Sequence, residues 1–143
     1  MFNLLMFNHA DWSSDKVVEV PLGRLFEYTE DRIKINLGDD RDQALFDRVS
    51  NWPCLFCEEG RNEELAYVGE IKGARLNQSS VLFDISLDPD VPPQRNSALF
   101  AKRAELHMSD EREFSRNHWA VKDIDLYRFL WRNRRSLDLG LAK

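Results

Sequence analysis

Between Leu65 and Leu87 two rows of residues flank a polar stretch, and the second row alternates along most of its length: Val81, Phe83, Ile85 and Leu87 against Leu82, Asp84 and Ser86. A period of two puts the first set on one side of a pleated strand and the second set on the other, which is the mark of a half-buried β-strand. Asn77-Gln78-Ser79-Ser80 supplies a turn between the rows, so the segment reads as a β-hairpin. Gly69 and Gly73 in the first row permit a bulge or a sharp bend, the devices by which sheets curl.

Residues 22–37 suggest a second hairpin. Arg24, Phe26 and Tyr28 alternate with Leu25 and Glu27, then Ile33, Ile35 and Leu37 alternate with Arg32, Lys34 and Asn36, with Thr29-Glu30-Asp31 as the turn. Gly38-Asp39-Asp40 then opens a helix, with Asp39 or Asp40 as its cap. Leu45, Val49 and Trp52, with Phe46 beside them, form its buried stripe, and Pro53 ends it. Cys54 to Cys57 read as a short strand, residues 58–64 as an acidic surface loop, and Asp88 to Pro93 as a rigid connector into a helix from Asn96 or Ser97. Ser109 to Asn117 are a charged loop or strand edge, and His118 to Lys122 the last strand. Asp123 is the expected cap of a helix from Ile124 to about Arg135.

Residues 1–16 read as an N-terminal arm packed on the body or on a partner, with an edge strand of the same core as the plainer reading. Residues 17–143 read as a single α+β domain. Hairpins with interspersed helices, and no βαβ alternation, predict α+β architecture: a strongly bent antiparallel sheet or small open barrel with about three helices. A chain of 143 residues with 43% apolar and 31% charged residues has the size and composition to build such a core.

Charge is unevenly distributed. The net charge is −5, but Arg128, Arg132, Arg134, Arg135 and Lys143 against Asp138 give the last sixteen residues +4, leaving −9 on the preceding 127. An acidic body repels phosphate backbones, which argues against nucleic acid as a partner. The apolar start, Phe2 to Phe7, lacks a basic leader and breaks at Asn8-His9-Ala10-Asp11, and no run approaches the ~20 apolar residues of a membrane span. The expected setting is the cytoplasm, with no membrane contact.

Chemistry-bearing motifs are sparse. Cys54 and Cys57 form a C-x-x-C, but a helix ends before the pair and none starts at it, and an extended backbone would send the thiols to opposite faces. They read as buried structural cysteines. Glu70-Ile71-Lys72 is an E-x-K that, with Glu58 and Glu59, resembles the carboxylate–lysine arrangement of metal-dependent PD-(D/E)-x-K nucleases. With 25 acids and six lysines in the chain, about one such spacing arises by chance, and one is present. His118-Trp119-Ala120-Val121-Lys122-Asp123 packs an imidazole, an ammonium and a carboxylate into one strand–helix junction, where a His with a carboxylate partner would make a general base. Its plainer reading puts Trp119 and Val121 in the core and His118 and Lys122 outside. No phosphate-cradling glycine loop appears, and nothing calls for a cofactor.

The leading functional expectation is a small protein-binding module: an adaptor, an inhibitor or immunity-type protein, or a subunit of a larger complex. Its partner is another protein or a second copy of itself, met through Trp12, Arg128, Trp131, Arg132 and Arg135, since aromatic and arginine anchors carry most interfaces. The alternatives are a metal-dependent hydrolase or nuclease using Glu58, Glu70 and Lys72, with Glu58 and Glu70 as metal ligands; a hydrolytic site around His118; and a ligand-binding barrel lined by Phe83, Tyr67 and Trp119.

Overall fold

The computed structural model describes residues 1–8, 12, 16–38, 41–60 and 63–137. The fold is α+β, as the hairpin pattern implied. Its sheet is built from β1 (Phe2–Phe7), β2 (Val17–Pro21), β3 (Pro53–Glu58), β4 (Leu65–Asn77), β5 (Ser80–Leu87) and β7 (His118–Lys122), in the order β2-β5-β4-β3-β1-β7. The two-residue β6 (Gln94–Arg95) adds to β4. Among the described residues all strand pairings are antiparallel except β1 with β3, and the sheet does not close into a barrel. Among the described residues four short helices accompany it, α1 (Asp31–Leu37), α2 (Gln43–Val49), α3 (Asn96–Ala101) and α4 (Leu126–Arg132), followed by the single turn α5 (Arg134–Leu137).

The β4–β5 hairpin forms as its alternation requires. The register slips between Ile71 and Gly73, so the bulge falls beside a glycine. Gly69 serves a different purpose. A Cβ there would lie 2.0 Å from the Ser86 carbonyl oxygen, so only glycine lets β4 and β5 approach this closely.

Apolar side chains fill both faces of the sheet, in two separate clusters. On one face Leu5, Cys54, Phe56, Ile71, Phe83, Trp119 and Val121 pack against α1 and α2. On the other Phe2, Leu4, Met6, Leu55, Cys57, Val68 and Ala120 pack against the segments carrying Leu99, Phe114, Leu126 and Phe129. Cys54 and Cys57 therefore do lie on opposite faces of β3, each fully buried.

Several expectations are corrected. Residues 22–37 are not a hairpin: Leu22–Arg24 is a 3-10 turn and Asp31–Leu37 is helical. Ile33, Ile35 and Leu37 satisfied a period of two, but Ile33 and Leu37 also stand one helical turn apart and are buried, whereas Ile35 is 78% exposed. Phe26 and Tyr28 take positive φ values of 64° and 57°, which breaks any strand there. This stretch instead carries the chain from the β2 edge to the β7 edge. The Phe26 amide donates to the Trp119 carbonyl and the Val121 amide to the Thr29 hydroxyl, which satisfies the open side of β7.

Phe2–Phe7, expected within an arm or at a sheet edge, is an interior strand paired with β3 on one side and β7 on the other. The Asp39 or Asp40 cap lies outside the described residues; α2 is capped by Asp42, whose carboxylate accepts from the Leu45 amide. Asp123 caps nothing. Asp125 caps α4, and Asp123 instead pairs with Arg32 at 2.8 Å.

Candidate functional site

Helix α4 is amphipathic by construction. Asp125 accepts a hydrogen bond from the Arg128 amide, Leu126 and Phe129 turn inward, and Asn133 closes the helix while its side chain donates to the Phe129 carbonyl and to Glu105. That leaves Tyr127, Arg128, Trp131 and Arg132 on the outer face, with Arg135 following in α5. Trp131 is 68% exposed, more than any other tryptophan described. Arg134 stacks on its ring at 4.0 Å and donates to its carbonyl. Beside it runs an apolar groove of about 250 Å³, walled by Val91 and Pro92 of the connector and by Leu130 and Leu137.

Most arginines described elsewhere meet a carboxylate, while Arg41 and Arg48 donate to backbone carbonyls. Arg32, Arg75, Arg95, Arg103, Arg112 and Arg116 each pair with a carboxylate. Arg128, Arg132 and Arg135 form no ion pair among the described residues, although all three are exposed. Four of the five residues expected as contacts thus lie in α4 and α5, with Arg128 and Arg132 beside Glu105, Asp123 and Asp125. The fifth does not: Trp12 is 2% exposed and packs edge-on against Phe7 and tilted against Phe56, so it belongs to the core.

His118 and Lys122, expected outside, are buried on the face of β7 that carries Ala120, where both meet Glu113 of the 3-10 turn Glu111–Ser115. His118, Glu113 and Lys122 are 0%, 1% and 3% exposed. Lys122 Nζ uses all three of its donors, on the Tyr28 carbonyl (2.7 Å), the His107 carbonyl (2.9 Å) and the Glu113 carboxylate (2.9 and 3.0 Å). His118 Nδ1 faces the Arg116 carbonyl, which only accepts, so Nδ1 carries a proton. Its Nε2 lies 3.0 Å from Glu113 Oε2. Burial draws the Lys122 ammonium below its ordinary pKa, and the Glu113 charge opposes that shift. The imidazole has its carboxylate partner, but both ring nitrogens are engaged and the cluster is buried from solvent. Its geometry ties the 3-10 turn and the segments around Tyr28 and His107 to β7.

The E-x-K arrangement is not assembled. Glu70 stands opposite Pro53 at one end of β3, and Glu58 lies at the other end, about 17 Å away along an extended strand. Lys72 pairs with Glu70 at 2.7 Å on the surface. Among the described residues no group of three His, Cys, Asp or Glu side chains is placed to hold a metal ion. Phe83 and Trp119, expected to line a barrel pocket, instead fill the core with their rings in edge contact, and Tyr67 packs at its margin. Nothing in the sequence marks Glu113, because its spacing from His118 across an irregular turn follows no regular period. The connector wall of the groove was legible only as a proline-rich linker.

No helix among the described residues is long and apolar enough to cross a membrane. No protein-family model, no curated protein and no solved structure matches the chain.

Proposed function

We propose that the chain is a protein-binding module working in the cytoplasm, and that its α4–α5 face takes an acidic segment of another protein. The observation that carries this reading is exposed Trp131 together with Arg128, Arg132 and Arg135, exposed guanidiniums that form no ion pair among the described residues, on a chain whose other exposed arginines are largely paired. Solvent-exposed arginines lose little on binding carboxylates and gain charge-assisted, bidentate contacts. Trp131 supplies the apolar anchor; covering its exposed area is worth about 3–4 kcal/mol in transfer free energy. The surrounding charge selects the partner, because positive rims accelerate encounter with acidic surfaces.

The test compares the intact chain with Trp131→Ala and with Arg128→Glu/Arg132→Glu as immobilised baits. The expected result is a partner with an acidic contact segment, retained by the native chain and weakened about 30-fold or more by Trp131→Ala. Retention should also fall as salt rises from 50 to 300 mM. If both variants retain the same partners as the native chain, the face is not the interface. Analytical ultracentrifugation adds a second arm: a dimer dissociated by Trp131→Ala would replace the acidic partner with a second copy of the chain.

A further inference from the structure

On the other side of Tyr127 from the groove lies a cleft of about 420 Å³, where the C-terminal end of β5, the middle of β4 and the start of β3 meet α4. Its size is in the range of small-molecule sites, roughly 300–1,000 Å³. Trp52 and Tyr127 supply aromatic surface and Leu87 apolar surface, while Gly69 leaves bare backbone between the strands. Two carboxylates, Glu70 and Asp88, also line it. Both act on the same phenol: Tyr127 donates to Asp88 at 3.2 Å, and its pKa is raised by burial first, then by the charge of Asp88 and, more weakly, of Glu70. Lys72 neutralises one of the two charges, so the cleft keeps a net negative charge.

We propose that this cleft binds a small organic cation carrying a guanidinium or primary ammonium group. A delocalised cation gains from aromatic faces and from carboxylates together, where a neutral ligand gains only from the first and an anion is repelled by the second. The cleft is far too wide for a bare metal ion, which would also need more oxygen ligands than two carboxylates give. The assignment does not depend on the α4–α5 reading, since its charge is opposite and its ligand enters from the far side of Tyr127.

Butylguanidinium and its uncharged isostere butylurea have nearly the same shape, so titrating each into the full-length protein by calorimetry, with indole fluorescence in parallel, isolates the contribution of charge. The expected result is one saturable site for butylguanidinium, at least ten-fold weaker binding of butylurea, and loss of the fluorescence change in Trp52→Phe. Glu70→Gln, at a surface position that leaves the fold intact, should weaken butylguanidinium at least three-fold, and Glu70→Gln/Asp88→Asn at least ten-fold. Absence of saturable binding, equal binding of the two probes, or unchanged affinity in Glu70→Gln overturns the proposal. A blocked arginine amide run alongside distinguishes the source: binding tighter than butylguanidinium assigns the site to a protein side chain, and weaker binding to a free metabolite-like cation.

Discussion

Replacing Glu113 by Gln keeps the volume of the side chain and removes its charge, leaving the Lys122 ammonium buried without a counter-ion. In the native chain that carboxylate takes two contacts from Lys122, at 2.9 and 3.0 Å, and one from His118 at 3.0 Å, all inaccessible to water. Breaking a buried pair by removing one partner costs about 3–5 kcal/mol, because the surviving charge keeps its full desolvation penalty. Domains of this kind are stable by only about 5–15 kcal/mol, so the variant should stand near the edge of unfolding at 37 °C. Lys122→Met should cost a similar amount, since it strips the Tyr28 and His107 carbonyls of their donor as well. The double variant removes both charges, and its loss should fall short of the sum of the single losses by about 2–3 kcal/mol. Urea denaturation followed by tryptophan fluorescence measures all four proteins, with Trp119, adjacent to His118 in β7, as a core reporter. A loss below about 1 kcal/mol for Glu113→Gln, or strict additivity in the double variant, would refute the idea that this cluster fastens the irregular segments to the sheet.

Two further outcomes are expected. The hydrogen bond from Arg32 holds the Asp123 carboxyl below its usual pKa of 3.8, so its contribution is complete above that value and disappears as the pH falls through the lower folded-state value. Asp123→Asn should therefore melt about 1–3 °C below the native chain near neutral pH, and the gap should close in acid; a gap constant from pH 7 to pH 2 would contradict the pairing. Burial pushes the thiols of both Cys54 and Cys57 well above the ordinary range, so neither should react with a disulfide reagent at pH 8 until the chain unfolds, when two thiols should appear. Rapid labelling of either in native buffer would show that β3 is more open than its packing implies.

The strands differ in how openly they declared themselves, and the reason lies in their burial. β5 sits between β4 and the edge strand β2, and its row kept Asp84 and Ser86 on the wetter face, so the alternation survived in the residues. β1, β3 and β7 are covered on both faces, so Leu4-Leu5-Met6, Cys54-Leu55-Phe56-Cys57 and Trp119-Ala120-Val121 are continuous apolar runs in which period two is lost. That is why β1 read as an arm although it is one of the sheet's interior strands. The confusion at Ile33-Ile35-Leu37 has another cause: in seven residues the two periods overlap, and only the contact of Ile33 and Leu37 with the core separates them.

Local chemistry alone determined the α+β class, the hairpin of β4 and β5 with its glycine-assisted bend, the strand after Pro53, and a helix near the C-terminus bearing Trp131 among arginines. Tertiary structure decided which tryptophan meets solvent and which is enclosed, where Glu113 finds His118 and Lys122, and that Glu58 and Glu70 lie at opposite ends of a strand. The physical reason is range. Pleat, turn and cap are set within a few residues, whereas burial and charge pairing depend on segments that the chain brings together from far apart: β1 enters the sheet between β3 and β7, more than forty and more than a hundred residues downstream.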